Sequence, residues 1–375
     1  MISRWLYHCI LSLLFPFWIL YWSVFHWKNN IPFKGLLARC GWIKNKPQQA
    51  IWIHAASIGE LRLSQHIVAS LEEKGPIIIS TMTGRGFENQ LKQPHFYFPF
   101  DHPLCIKLAL RCLKPKAIIF IETELWPNLI HYSTCPCFLV NGRLSKKSFE
   151  NYKHIQPLSQ QMIQQLSGIF CVSQTIKERF ETLGGNVLGV HPNLKYLAFK
   201  PNLPDPIPLS NHTLVCGCTH PKEDLQLIEL LPQLQANIPN FQMVIIPRHQ
   251  SRARWLQKRF SHLNGLIIED RYGVTLDWYK KARWVFIGGS LIPHGGQNPL
   301  EPLSCHRPTM IGPHYFNFTS VVEGLRSNQL ITCISHPEEI IDFCKAQMIP
   351  INTYQYFKTQ HENAYTALLD LAQRV

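Results

Sequence analysis

Ile51-Trp52-Ile53-His54 runs straight into Ala55-Ala56-Ser57-Ile58-Gly59-Glu60, and Trp284-Val285-Phe286-Ile287 runs into Gly288-Gly289-Ser290 and on to Gly295-Gly296-Gln297-Asn298-Pro299-Leu300-Glu301. Both stretches share one grammar: an apolar run rich in β-branched residues, a turn of small residues, and a helix start that carries a carboxylate. A strand that turns tightly into a helix brings free backbone N–H groups and the positive end of the helix dipole to one point, which makes an anion site. One such unit in each half of the chain predicts two α/β domains facing a central cleft.

Outward from these stretches, β-like runs alternate with amphipathic ones. Strands are expected in the first half at Ile51–His54, Pro76–Ser80, Ala117–Ile121, Cys137–Val140, Ile169–Val172 and Val187–Val190, with a helix from Glu60 to Glu73 that turns Leu61, Ile67, Val68 and Leu71 inward. The second half repeats the pattern at Thr213–Cys216, Gln242–Ile246, Gly265–Ile268, Trp284–Ile287 and Thr309–Ile311. Such alternation predicts parallel sheets covered by helices. Between the halves, Pro201, Pro204, Pro206 and Pro208 exclude a regular element and mark an extended linker. The expected division is an apolar segment at 1–28, a first domain at 29–200, the linker at 201–209, a second domain at 210–350, and a C-terminal helix at 351–375 packing back on the first domain.

A chain of 375 residues exceeds what one core usually organises, in keeping with two domains. Its formal charge of +13 asks for an anionic partner, which could be nucleic acid, a phospholipid surface or a phosphorylated substrate. No lysine-rich tail or nucleic-acid module is present, so the last two are favoured. The 12 cysteines are scattered, and the close pairs Cys135/Cys137 and Cys216/Cys218 lack the spacing of zinc or redox motifs. They are expected to be reduced structural thiols in a cytoplasmic compartment. From Trp5 to Trp27 nearly every side chain is apolar or aromatic, about the length of a bilayer crossing, with Trp5, Tyr7, Trp22 and Trp27 near the ends. Only Arg4 precedes this segment, whereas Lys28, Lys34, Arg39, Lys44 and Lys46 follow, which places the rest of the chain on the cytoplasmic side. Besides a spanning helix, Pro16 keeps open a helix lying in the interface or docked in a core.

Glu60, in the first turn of a helix at the carboxyl end of a strand, is the leading candidate for a general base. The helix dipole favours its charged form and burial opposes it. Glu122-Thr123-Glu124-Leu125-Trp126-Pro127-Asn128 follows another apolar run, and in an extended chain Glu122 and Glu124 share a face. In the second half, Asn298, Pro299 and Glu301 fit the N-cap, N1 and N3 positions of a capping box beside Gly295-Gly296, a structural role compatible with phosphate binding. Arg248-His249 and Gly217-Cys218-Thr219-His220 each close a strand and are expected at the same cleft, where an arginine supplies a bidentate phosphate contact. Asp-x-Asp, His-Glu-x-x-His and Walker A motifs are all missing, so no metal and no cofactor is expected.

The chain resembles the 3-deoxy-D-manno-octulosonic acid (Kdo) transferases. The resemblance rests on Trp52–Glu60, Thr81-Met82-Thr83, Glu122–Asn128, Asn141-Gly142-Arg143-Leu144-Ser145, Pro247-Arg248-His249, Gly288–Glu301 and Gly312–Phe318, in this order. It implies an α/β fold of the GT-B glycosyltransferase type, with two Rossmann-like domains and an N-terminal membrane-anchor helix. It also implies an inverting, metal-independent transfer of Kdo from CMP-Kdo to lipid A precursor (lipid IVA), on the cytoplasmic face of the bacterial inner membrane. Partners would be CMP-Kdo, the lipid A precursor and the phospholipid surface, with no nucleic acid. Residue by residue, Glu60 matches the family's base, and Ser57, Glu124 and Arg143 fall on the acceptor side. Lys195, Thr219, Arg248, His249, Gly288, Gly289, Ser290, Gly296, Asn298 and Glu301 fall in donor-binding motifs.

Two loops depart from the family pattern. Pro192 replaces a glycine before Asn193, and Asp270-Arg271-Tyr272-Gly273-Val274-Thr275 keeps only Asp270 and Gly273 of a nucleotide loop. These departures leave two alternatives: a GT-B enzyme for another nucleotide sugar, and a catalytically impaired membrane-surface binding protein.

Overall fold

The structure is a computed structural model that describes residues 4–28, 33–44, 46–82, 91–199, 212–346 and 353–375. The linker expected at 201–209 lies outside the described residues. Backbone contacts divide the chain into two units, Met1–Ala198 with Glu362–Val375, and Phe199–His361.

The first unit holds strands β1 (Ile51–His54), β2 (Ile77–Thr81), β3 (His95–Tyr97), β4 (Ala117–Ile121), β5 (Cys137–Gly142), β6 (Gly168–Cys171) and β7 (Val187–Val190), all parallel, in the order β3-β2-β1-β4-β5-β6-β7. Ile51 pairs with Ile77 on one side and Ala117 on the other. Successive side chains point to opposite faces of a strand. Trp52, Ile78, Ile118 and Phe120 accordingly join one core, while Ile51, Ile53, Ile77, Ile79, Ile119 and Ile121 join another. Both faces are dry, which is why these strands read as unbroken apolar runs. The second core is closed by Ala364, Ala367, Leu368 and Leu371 of the C-terminal helix Tyr354–Arg374.

The second unit holds β8 (Thr213–Thr219), β9 (Gln242–Pro247), β10 (Leu266–Ile268), β11 (Trp284–Ile287), β12 (Thr309–Ile311) and β13 (Thr332–Cys333), parallel, in the order β10-β9-β8-β11-β12-β13. In each sheet, strand order reverses beside the first strand: between β1 and β4, and between β8 and β11. Loops leaving the carboxyl ends of such a pair part from each other and open a crevice, the place where open α/β sheets hold ligands. β3 and β13 were not anticipated from the sequence pattern.

The first helices in chain order are α1 (Arg4–Lys28), α2 (Phe33–Arg39), α3 (Ile58–Leu71), α4 (Pro103–Leu113) and α5 (Pro127–Tyr132). α1 lies along the first unit for its whole length. Arg4 donates to His131 Nε2 at 2.8 Å, Tyr7 to Asp101 at 2.9 Å and His8 to Asn128 Oδ1 at 2.7 Å. Ser12 bonds His102, Phe15 stacks on the same ring, and Trp18 stacks on Phe100. Farther along, Trp22 carries the Arg39 guanidinium 3.5 Å from its ring centre, and buried His26 packs on Tyr97.

One glycine in the second sheet is fixed by packing alone. A Cβ at Gly217 in β8 would overlap the hydroxyl of Tyr279, which is fully buried. Gly217→Ala is expected to lose about 1–3 kcal/mol of stability to overpacking. Denaturant unfolding of this variant, alone and combined with Tyr279→Phe, checks it: the second change should recover part of the loss.

Candidate functional site

In the first unit, β1 delivers its last residues into the N-terminus of α3. Ser57 caps that helix, accepting the N–H of Glu60 at 3.3 Å, and returns its own hydroxyl proton to Glu60 Oε1 at 2.7 Å. The N–H of Ala56 donates to the other carboxylate oxygen at 2.8 Å. This reciprocal arrangement resembles a capping box. It holds the Glu60 carboxyl in one orientation, only 9% exposed. Burial pushes its pKa up to about 7, the Ser57 and Ala56 bonds oppose the rise, and the nearby charges of Glu122 and Glu124 add to it. The contest between dipole and burial is thus decided by burial, and the carboxyl exchanges its proton near neutrality.

Across the crevice, the loop after β4 does not stay extended. Glu122 takes a left-handed conformation at φ 61°, a strained position for a non-glycine residue. The turn separates the two carboxylates expected on one face. Glu122 Oε1 lies 2.8 Å from Lys195 Nζ and 3.6 Å from Arg143 Nη1. Burial alone would raise its pKa, but the two cations outweigh burial and hold it below the usual carboxylate range. Glu124 is pushed the other way, first by burial and then by the charge of Glu122. Arg143, expected beside Glu124 on the acceptor side, therefore pairs with Glu122, a residue to which the sequence assigned no separate role. The signal was there in two carboxylates at one strand end.

Lys195 also sits in this cluster. The Asn141 side chain accepts the N–H of Leu194 at 2.9 Å, and Asn193 accepts the N–H of Lys195 at 3.0 Å, so the segment after Pro192 is pinned by side chains. Behind the loop, Trp126 donates to His54 Nε2 at 3.2 Å, and His54 Nδ1 bonds Ser80 at 2.9 Å. Complete burial pushes the His54 pKa down to about 3, so the ring stays neutral and serves to place Trp126.

The second unit gathers its candidates at the carboxyl edge of its sheet: Thr219 ends β8, Arg248 and His249 follow β9, and Gly288-Gly289-Ser290 follow β11. A Cβ at Gly288 would come 2.6 Å from the Cys218 backbone, so only glycine allows the two loops to approach. The turn was expected to form part of an anion site together with the helix start beyond it. Instead Glu223, fully buried, takes the N–H groups of Gly289 at 2.6 Å, Ser290 at 2.9 Å, Leu291 at 2.9 Å and His220 at 3.2 Å. The anion in this nest is the protein's own, a correction that follows from the backbone's need to satisfy its buried donors.

The second glycine pair folds back on the first, with the Gly296 N–H donating to the Gly289 carbonyl at 2.8 Å. Asn298 Oδ1 accepts the N–H of Leu300 at 3.1 Å and its amide reaches Glu301 at 3.5 Å, but the helix begins at Leu300 with Pro299 at the cap position, one residue later than expected. Arg248 and His249 are exposed, and His220 stacks on His294 with ring centres 4.3 Å apart and lies 6.2 Å from His249. Burial, then His294, His249 and Arg248, push the His220 pKa down, as in a cluster of positive or chargeable groups that an incoming anion would relieve. The divergent loop around Asp270 is organised by its neighbour Glu269, which binds Arg271 at 2.7 Å and Trp278 at 2.8 Å.

Residues 34–198 match the family described as 3-Deoxy-D-manno-octulosonic-acid transferase (kdotransferase). The 3-deoxy-D-manno-octulosonic acid transferase of Haemophilus influenzae is 33% identical, with 74% of each chain covered. The chain belongs to the Kdo transferase family. The transferase of the same name from Aquifex aeolicus is 26% identical over 74% of this chain and 79% of its own. Among solved structures, a glycosyltransferase from Rickettsia africae superposes with a TM-score of 0.55 at 16% identity, covering 87% of this chain and 96% of that one. A putative UDP-N-acetylglucosamine 2-epimerase from Listeria monocytogenes gives 0.54 at 13%, covering 85% and 91%. These likenesses show the fold, two parallel-sheet α/β units of the GT-B type.

The Glu223 nest yields a direct test. Glu223→Ala leaves buried N–H groups without an acceptor and is expected to lose about 2–3 kcal/mol or more of stability, whereas Glu223→Gln retains one acceptor oxygen and loses less. Equal, negligible losses in denaturant titrations would mean that the turn holds without the carboxylate.

Proposed function

We propose that this Kdo transferase homologue moves Kdo from CMP-Kdo to a lipid A precursor at the cytoplasmic surface of the bacterial inner membrane, with inversion at the anomeric carbon and without a metal. The observation that carries this reading is the buried Glu60 carboxyl, oriented by Ser57 and Ala56 and pushed by burial to a pKa of about 7. In the reaction, the acceptor hydroxyl oxygen forms a bond to the anomeric carbon of Kdo. Its proton passes to Glu60, and the bond from that carbon to the phosphate oxygen breaks, so that CMP leaves with the electron pair. Both Kdo and CMP are anionic, and cationic side chains suit both. Arg248 with the adjoining histidines suits the CMP phosphate, and Asn298 and Glu301 with Gly296 would hold the nucleoside. Lys195 and Arg143 suit the Kdo carboxylate or a phosphate of the acceptor, with Glu122 keeping them in place and Glu124 facing the acceptor.

Purified protein incubated with CMP-Kdo and a tetraacylated lipid A precursor, with and without chelator, should give a lipid heavier by one or more Kdo units in both cases. A mass gain with another nucleotide sugar, or none with any, would overturn the reading. As the base must be deprotonated, turnover should rise with pH and level off above an inflection near 7. Glu60→Gln should lower turnover by at least ~10²-fold and abolish the inflection, which pH–rate profiles of the two proteins check.

A further inference from the structure

At 1.5 Å per residue, α1 is roughly 37 Å long, enough to cross a bilayer. Yet it is tied sideways to the first unit at every turn. Arg4, His8, Ser12, Phe15, Trp22 and His26 recur at the spacing of one helix face, and all of them contact the globular part. The opposite face is bare and apolar: Trp5 is 74% exposed, Leu13 71%, Phe17 67%, Leu20 63%, Tyr21 61% and Trp27 79%. A contiguous apolar strip of this kind marks an interaction surface.

We propose that α1 is an in-plane membrane helix, which stays on the first unit and sinks its outer face into one leaflet of an anionic phospholipid bilayer instead of crossing it. This rests on the membrane-surface part of the proposed function. Three features select the lipid surface. Tryptophans stand at both ends of the strip, as interfacial aromatics do. The chain carries a formal charge of +13, which complements anionic headgroups. Lys28 closes the helix next to exposed Trp27, a basic and aromatic end to the strip. Crossing, by contrast, would carry His8 into hydrocarbon and break its bond to Asn128 and that of Tyr7 to Asp101.

The tie also reaches the site. Asp101, which accepts the Tyr7 hydroxyl, takes the N–H groups of Asn128 and Leu129 at 3.0 Å each at the start of α5. That start follows directly on the loop carrying Glu122 and Glu124. The element that grips the leaflet therefore also fixes the loop that would receive the acceptor lipid.

The test uses the full chain with an epitope tag ahead of Met1, in sealed membrane vesicles with the catalytic units outward. An in-plane helix leaves the tag on the catalytic side, so added protease removes it without detergent. A tag protected until detergent is added would overturn the proposal in favour of a spanning helix. A second variant, Leu13→Asp with Phe17→Asp, changes only exposed positions. It should partition onto anionic phospholipid vesicles more than ~10-fold less than the parent chain while unfolding at the same temperature; equal partitioning would overturn the proposal. A parent chain that ignores vesicles and dimerises through α1 would make a second copy the occupant, overturning the proposal together with the membrane-surface reading. Failure of Kdo transfer alone would leave the in-plane helix standing.

Discussion

In a parallel sheet every strand ends at the same edge, so the loops that follow converge on one strip of surface. Where β1 and β4 part, that constraint brings three carboxylates, those of Glu60, Glu122 and Glu124, into one another's field. Three like charges in a half-buried crevice cannot all persist. The structure resolves the conflict by giving the cations to one of them. Lys195 and Arg143 keep Glu122 charged, and the negative charge so fixed helps to hold Glu60 and Glu124 above the usual carboxylate range. Pushing the pKa values of neighbouring carboxyls apart is how a site obtains a base that works near neutral pH.

The second unit meets the same topological situation with the opposite solution. Its crevice between β8 and β11 is lined by backbone donors, and an internal carboxylate, Glu223, satisfies them. The turn is therefore rigid before any ligand arrives, and the positive charge available to a phosphate lies instead on Arg248 and the histidines beside it. In the transfer proposed above, the first crevice would supply the acid–base group and the second a preorganised, cation-bordered loop for the leaving group.

Much of this was legible in the sequence. The runs that became β1, β4, β11 and β12 are bounded in the structure as the apolar pattern predicts, because strands buried on both faces advertise themselves as continuous hydrophobic stretches. Glu60 could be picked out for the same reason, since its place at a strand–helix junction is a local property. What could not be read were long-range pairings. Nothing in the spacing says that Glu122 meets Lys195 rather than sharing a face with Glu124, or that Glu223 closes a glycine turn far along the chain. The left-handed backbone at Glu122 belongs to the same class, as tertiary contacts impose it against local preference. The N-terminal helix is an intermediate case: its apolar length was plain, while the stripe of Tyr7, His8, Ser12 and His26 that docks it acquires meaning only beside Asp101, Asn128, His102 and Tyr97.

The central claim is that this charge segregation leaves the Glu60 carboxyl competent as a base near neutral pH. The most direct measurement is a carboxyl-carbon NMR titration of protein labelled at glutamate side chains, with the Glu60 resonance assigned by its loss in Glu60→Gln. The account predicts that the resonance titrates with a midpoint near pH 7. A midpoint in the ordinary glutamate range, near 4.5, would contradict it.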